Sequence, residues 1–342
     1  MFRAKLGIYM VNGMKNTLHD YLNHICGADN VWADFPMSRR TSFKIGGTVR
    51  FYVTVQAREA LVRLLSGLDQ IGEPYQIVGA GANLLARDEY YDGVVIRPGF
   101  NEIVRNGEFV YADAGVGLGV LCAWSRRESL TGFEWLAGIP GTVGGALFMN
   151  AGAYDGDMGS RCVCVDVLMR AEDAAVLCGY ADSDDDGWVV VNMPRAQLEF
   201  GYRDSRFMRN RDWVILGGYF RLQVGDKIEI CRKIREIVQK RGKSLPQQPN
   251  GGSAFCRPRP DFYVGTTIDR LGLKGKSIGG AQISEKHAGV IVNTGGATCA
   301  DVLGLIDEIK SAVHADTGET LRMEYEMFPH VHSAVSSEIS ST

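Results

Sequence analysis

The sequence predicts an α+β fold built from more than one domain. Three observations lead there. Apolar residues recur at helical spacing in several segments, other segments alternate with the period of a strand, and the centre of the chain is too rich in glycine for either period. With 342 residues the chain has room for about two to three domains of roughly 150 residues each.

Residues 15–26 place Leu18, Tyr21, Leu22 and Ile25 on one side of an amphipathic helix, read as a leader ahead of the main fold. "FYVTV" (51–55) alternates like a strand. Residues 57–68 carry Leu61, Leu64, Leu65 and Leu68 at helical spacing, and "YQIVG" (75–79) and "GVVIRP" (93–98) read as further strands, giving a compact β-α-β opening. From about 101 to 225 the chain reads as β-rich, interrupted by a helix near 117–129. Eight glycines between Gly132 and Gly159 exceed what a regular element tolerates and suit close backbone approach. "DSDDD" (182–186) reads as a solvated hairpin tip. Residues 226–242 look helical, with Ile228, Ile230, Ile234 and Ile237 among basic residues, and "SLPQQPNGG" then breaks the chain. The last segment is α/β: helices at 263–272 and 299–315 flank the strand "AGVIVN" (288–293). The expected organisation is a leader at 1–34, two subdomains at 35–97 and 98–225, a C-terminal domain at 226–330 and a disordered tail at 331–342.

Composition narrows the function. The net charge of -3 argues against nucleic-acid binding driven by overall charge. The longest apolar runs, such as "WVILGGYF", fall short of a membrane span, and the N-terminal apolar patch is too short for a signal-peptide core, so a cytoplasmic location is expected. Of eight cysteines only Cys162 and Cys164 lie close together, and without a C-x2-C pair no metal site is expected.

"VGAGANLL" (78–85) follows a strand and packs Gly79, Ala80, Gly81 and Ala82 into a turn whose N–H groups can approach a phosphate. A plain β-turn is the equal alternative. The dinucleotide fingerprint G-x-G-x-x-G fails because Leu84 replaces its third glycine, and "RGKS" and "KGKS" fail as Walker loops because Ile237 and Arg270 stand where glycine is required. "LAGIPGTVGGALFMNAGAY" (136–154) combines Pro140, four close glycines, Asn150 and Tyr154, and favours a flat ligand against backbone over a purely structural loop. "FGYRDSRF" (200–207) offers Arg203, whose planar fork suits a carboxylate, although a strand-end ion pair is the simpler account. In "ISEKHAGVIVN" (283–293) Ser284 reads as a helix cap and His287 as a substrate contact or a mere helix-start residue. "LRMEYEMF" (321–328) alternates, with Glu324 and Glu326 sharing a face that is by default solvated. "GGSAFCRPRP" (251–260) holds one hydroxyl, Ser253, in a turn.

Taken in order, "TSFKIGG" (41–47), "VGAGANLL", "AGIPGTVGGALFMNAGAY", "GYRDSRF", "GGSAFCRP", "IGGAQISEKHAGVIVN" and "LRMEYE" resemble the UDP-N-acetylenolpyruvoylglucosamine reductase family, from about residue 35 to 328. The resemblance implies a two-subdomain FAD-binding module of the vanillyl-alcohol oxidase type with a C-terminal α/β substrate domain, which accounts for the failed dinucleotide fingerprint. The short route from residue 220 into helix 226–242 leaves no room for the tyrosine-bearing loop of one branch, so the chain resembles the shorter branch. The implied reaction, in peptidoglycan precursor synthesis, passes a hydride from NADPH through FAD to the enolpyruvyl ether of UDP-N-acetylglucosamine-enolpyruvate. Non-covalent FAD is expected, since no histidine lies between His24 and His287 to anchor it. Carried over residue by residue, the resemblance implies Arg203, Ser253 and Glu324 as catalytic, with Ser253 the proton donor. It implies Thr41, Ser42, Val78, Gly79, Ala80, Gly81, Ala82, Asn83, Leu84, Gly138, Ile139, Pro140, Gly141, Thr142, Gly144 and Gly145 around the cofactor. Tyr154, Tyr202, Lys243, Arg257 and His287 are the substrate-binding candidates, and a monomer is expected. Ala82 replaces the usual serine of the pyrophosphate loop, and Cys256 the usual lysine. The alternatives are another FAD oxidoreductase of the same fold group and a non-catalytic nucleotide-sugar binder.

Overall fold

The computed structural model describes residues 9–11, 14–179 and 187–330. The expected hairpin tip at 182–186 and the expected tail at 331–342 lie outside the described residues. Three sheets organise the rest. The first orders Val31–Pro36, Thr48–Val55, Tyr91–Pro98 and Tyr75–Ile77, with one antiparallel pair followed by two parallel ones. Parallel pairing requires a crossover, and the helix Arg58–Ile71 supplies it. Its Leu61, Leu64, Leu65 and Leu68 are fully buried, as their spacing predicts.

The helix Leu18–Cys26 begins at Thr17, which forms a capping box with Asp20. It buries Leu18 and Leu22 in the same core as Leu61 and Leu64. The strand Val31–Pro36 runs through residue 34 and pairs with Thr48–Val55. Helix and strand are therefore integral to the first unit, not a leader ahead of it.

The second sheet is five-stranded and antiparallel, in the order Trp188–Pro194, Cys162–Arg170, Val214–Arg221, Phe109–Asp113, Ile103–Asn106. Four helices interrupt this region besides Leu118–Arg127: Val143–Phe148, Met158–Arg161, Ala171–Cys178 and Arg206–Arg209. The first corrects the reading of the glycine-rich centre as irregular throughout. Thr142 caps it by accepting from Gly145 N, and Gly144 is required where the helix crosses Ala114, since a Cβ there would lie 2.9 Å from Ala114 Cβ.

The helix Lys227–Ser244 also departs from expectation. Ile234 and Ile237 pack onto the core that holds Leu130 and Leu136, and Ile230 is buried. The helix thus belongs to the second unit, and the C-terminal unit begins after it rather than at residue 226. That unit has its own core and a four-stranded antiparallel sheet, Asn250–Ser253, Val290–Asn293, Ala281–Ile283 and Ser277–Ile278, with helices Val264–Arg270 and Cys299–Thr317. The chain then returns to the first unit, where Glu326–Phe328 pairs in parallel with Leu84–Ala86. No described helix is long and apolar enough to cross a membrane.

One helix ties the first two units together. Arg58 opens Arg58–Ile71 and Asp69 lies in its last turn, the reverse of what the helix dipole favours. Both charges serve other elements. Arg58 contacts Asp113 at 2.6 Å and Asp166 at 3.6 Å. Asp69 accepts from Arg170 (2.6 Å), Trp188 Nε1 (3.1 Å) and the Tyr75 hydroxyl (3.2 Å). Asp69→Ala should lower stability by about 1–3 kcal/mol, the usual cost of orphaning half-buried donors, as read by urea unfolding. A loss below about 0.5 kcal/mol, normal for an unremarkable surface site, would dissociate Asp69 from this role.

Candidate active site

Between the three units lies a cavity of about 500 Å³. One wall is the turn after the strand Tyr75–Ile77. Its carbonyls are engaged behind the cavity: Gly81 O accepts from Ser42 N (3.1 Å), Ala82 O lies 3.0 Å from Ser42 Oγ, and Asn83 O accepts from Glu326 N (2.9 Å). The backbone N–H groups from Gly79 to Asn83 have no hydrogen-bond partner among the described residues. A row of unsatisfied donors along a cavity is a cradle for an anion such as a pyrophosphate. Ala82 does not weaken it, because the donors are backbone.

The facing wall comes from the glycine-rich centre. Ile139, Pro140, Gly141, Thr142, Gly144 and Gly145 line the cavity, as do Val78 through Leu84. The walls meet at Gly79, where a Cβ would lie 2.8 Å from Thr142 Oγ1. Gly81 has a φ of +69°, and a Cβ on it would fall 2.3 Å from the Arg40 carbonyl oxygen. A flat cofactor carrying a pyrophosphate fits these walls. Three of the expected cofactor residues stand behind them. Thr41 is buried and donates to Ile45 O, Ser42 braces the turn, and Gly138 accepts from Arg241 Nε through its carbonyl.

Arg203, Ser253 and Glu324, far apart in sequence, all line the cavity. Arg203 sits in the Gly201–Asp204 turn with a φ of +51°. Buried Asn150, itself at a φ of +47°, holds that turn by donating to Gly201 O (2.7 Å) while accepting from Gly159 N (2.9 Å). Asn150 is therefore structural rather than a ligand handle. Arg203 Nε donates to Glu324 Oε1 at 2.7 Å and Nη2 to Gly152 O at 2.8 Å, which leaves Nη1 without a protein partner among the described residues. Glu324 is 10% exposed at its side chain, not solvated. Burial pushes its carboxyl above the usual carboxylate range, and Arg203 opposes the rise. The backbone of Glu324 donates to Ala254 O (2.9 Å) and accepts from Asn83 Nδ2 (2.8 Å), so the segment is anchored to both neighbours. Ser253 ends the strand Asn250–Ser253 and is exposed toward the cavity.

The expected substrate contacts divide. Tyr202 stacks beneath Arg203 (5.4 Å) and accepts weakly from Arg257 N, and Arg257 lies over Tyr263. Both are exposed at the rim, outside the cavity lining. Tyr154 is half exposed and lies against Arg241. Lys243 is exposed and outside the lining, and the lining residue of that helix is Arg241. Helical periodicity contained this answer. Residue 241 is in phase with Ile230, Ile234 and Ile237, whereas 243 points the other way. Burial depresses the Arg241 guanidinium pKa, opposed by Tyr154, and no carboxylate pairs with it among the described residues. Cys256 is buried, its thiol pushed up to about 11 by burial, and it does not line the cavity.

His287 lies outside the cavity. It packs between Gly265 and Gly289, and its Nδ1 accepts from Gly289 N at 3.1 Å. Ser284 caps Lys286 and His287 within a turn, not a helix. Burial lowers the His287 pKa below its usual value of about 6.5. A depressed base makes the unfolded chain bind more protons, so its contribution is present above about pH 6.5 and is lost as pH falls through the folded-state pKa. Unfolding measured from pH 7 to 5 should therefore show a loss of stability that His287→Ala removes. An unchanged slope in the variant would show that His287 is not the titrating group.

The chain is similar to known proteins along most of its length. A family model described as "UDP-N-acetylenolpyruvoylglucosamine reductase, C-terminal domain" matches residues 245–328, and one described as "FAD binding domain" matches residues 49–175. The first begins where the helix Lys227–Ser244 ends. The UDP-N-acetylenolpyruvoylglucosamine reductase of Thermotoga maritima is 40% identical over 294 residues, 85% of this chain and 96% of the relative. That of Caldanaerobacter subterraneus subsp. tengcongensis is 36% identical over 313 residues, 91% and 98% of the two chains. The crystal structure of UDP-N-acetylenolpyruvylglucosamine reductase from Thermus caldophilus superposes with a TM-score of 0.69 at 30% identity, covering 87% of this chain and 98% of that one. Relatives 36–40% identical and matched along nearly their whole length place the chain in the UDP-N-acetylenolpyruvoylglucosamine reductase family.

Proposed function

We propose that this chain reduces the enolpyruvyl ether of UDP-N-acetylglucosamine-enolpyruvate to UDP-N-acetylmuramate, using non-covalent FAD and NADPH, in the cytoplasm. The observation that carries the reading is the convergence of Arg203, Ser253 and Glu324 on the cavity whose other wall is the row of free N–H groups from Gly79 to Asn83. These N–H groups and the Gly141–Gly145 wall hold the cofactor. The chemistry FAD supplies when bound is hydride transfer from the reduced nicotinamide to the substrate's enolpyruvyl carbon.

The chain's own residues handle charge and protons. Arg203 presents its free Nη1 to the substrate carboxylate and stabilises the negative charge that develops beside it. Its pairing with Glu324 and Gly152 fixes the guanidinium before the substrate arrives. Ser253 donates its hydroxyl proton to the neighbouring carbon. A serine is a weak acid, but a carbanion is basic enough to take its proton when geometry is fixed. General acid catalysis of this kind contributes roughly 10²–10⁴-fold, or about 3–5 kcal/mol of barrier. Arg241, desolvated and without a carboxylate partner among the described residues, offers a cation to the nucleotide phosphates.

The purified protein should be yellow, and Gly81→Ala, whose new Cβ collides with the Arg40 carbonyl, should purify with little flavin. A colourless wild-type protein that takes up no FAD would end this reading. Ser253→Ala should leave flavin reduction by NADPH nearly intact and slow reoxidation by the enolpyruvyl substrate about 10²–10⁴-fold in stopped-flow. Equal slowing of both half-reactions would make the serine structural.

A further inference from the structure

Ser253 is held by a residue that takes no part in the chemistry above. The strand Asn250–Ser253 does not run regularly: its register against Val290–Asn293 shifts between Asn250 and Ser253. Gly252 stands in the shifted part at a φ of +82°. Such a bulge re-aims the side chain that follows it, and it must be pinned to aim that side chain reproducibly. Two groups pin it. Asn250 Oδ1 accepts from Gly252 N at 2.9 Å, and the Tyr325 hydroxyl donates to Gly252 O at 3.1 Å.

Tyr325 is well suited to that task. It is 3% exposed and meets Phe43 edge to face at 5.4 Å. Gly251 fits against both rings only because it lacks a side chain, since a Cβ there would lie 2.8 Å from Phe43 and 3.0 Å from Tyr325. The tyrosine is also covalently next to Glu324, whose side chain is paired with Arg203. One dipeptide thereby grips the glutamate side of the site through Glu324 and the serine side through the Tyr325 hydroxyl.

We infer that Tyr325 is a positioning residue for the protonation step: its hydroxyl, through the Gly252 carbonyl, sets where Ser253 Oγ stands relative to Glu324 and Arg203. This rests on the assignment of Ser253 as proton donor. Tyr325 touches neither substrate nor cofactor on this account. Its effect travels through two backbone bonds, and a displacement of order 1 Å at a reacting group can cost about 10²-fold in rate.

A double-mutant cycle with both half-reactions resolved tests the inference. Tyr325→Phe removes one hydroxyl and preserves the ring packing on Phe43 and Gly251. The variant should bind FAD and be reduced by NADPH as wild type does, while reoxidation by the enolpyruvyl substrate slows about 10- to 100-fold. In a Ser253→Ala background the same change should alter reoxidation by less than about twofold, because the group it positions is gone. Gly252→Ala, whose Cβ meets nothing within 4 Å, disturbs the same carbonyl through its φ and should reproduce the pattern if Tyr325→Phe does not fold. Wild-type reoxidation in Tyr325→Phe, equal slowing of both half-reactions, or a slowing that multiplies that of Ser253→Ala would overturn the inference. The assignment of Ser253 fails by a different result, wild-type reoxidation in Ser253→Ala alone.

Discussion

The parallel pairing of Glu326–Phe328 with Leu84–Ala86 is the constraint on which the site depends. It draws the end of the C-terminal unit across the first unit, beside the turn that carries the free N–H groups. Asn83 is bonded to this segment twice, through its side chain to Glu324 O and through its carbonyl to Glu326 N. Because an extended chain alternates its side chains, the register fixes everything nearby. Glu324 and Glu326 reach the cavity, while Leu321 and Tyr325 are buried in the C-terminal core, with Met323 and Met327 packed against it. A shift by one residue would exchange the two sets.

Within that frame the Arg203–Glu324 pair is the most demanding element. Both groups are mostly withdrawn from solvent, and a half-removed buried pair typically destabilises by about 3–5 kcal/mol. The pair is supported on both sides: Asn150 braces the arginine turn, and Asn83 and Ala254 hold the glutamate backbone. Two positive-φ residues, Asn150 and Arg203, lie in this support. Strained backbone of this kind persists only where surrounding contacts over-determine it, and here those contacts are the buried amide and the ion pair.

Much of this was legible in the sequence, and the failures have physical reasons. Helices with a strong apolar stripe, such as Leu61–Leu64–Leu65–Leu68, declared themselves through period alone. The same signal marked the buried face of Lys227–Ser244 but could not say which core that face meets, so the domain junction was drawn on the wrong side of the helix. Glycines hid the short helix Val143–Phe148, because Gly144 is used there for clearance from Ala114 and low helix propensity says nothing of that. Arg241 lies in phase with buried Ile230 and part-buried Ile234 and Ile237, whereas Lys243, the more conspicuous cation, does not. His287 looked like a ligand because a titratable group beside a serine draws attention. Which way its turn faces depends on contacts with Gly265 and Gly289, which no local pattern encodes. The expectation that Arg203, Ser253 and Glu324 act together rests on motif resemblance, and only the fold brings them to one cavity.

The closing strand has a consequence in time as well as in space. Asn83 and Glu324 are bonded across 241 positions of the chain. The core that holds Leu61 and Leu65 is built entirely from earlier residues, but the core around Phe35, Tyr52 and Val95 waits for Phe328, and the turn at Gly79–Asn83 lacks the partner of its Asn83 carbonyl until the final strand arrives. The site therefore matures last, after nearly the whole polypeptide has been made, and a protein released short of Glu326 would lack both the closing strand of the site and the Phe328 ring of a first-unit core.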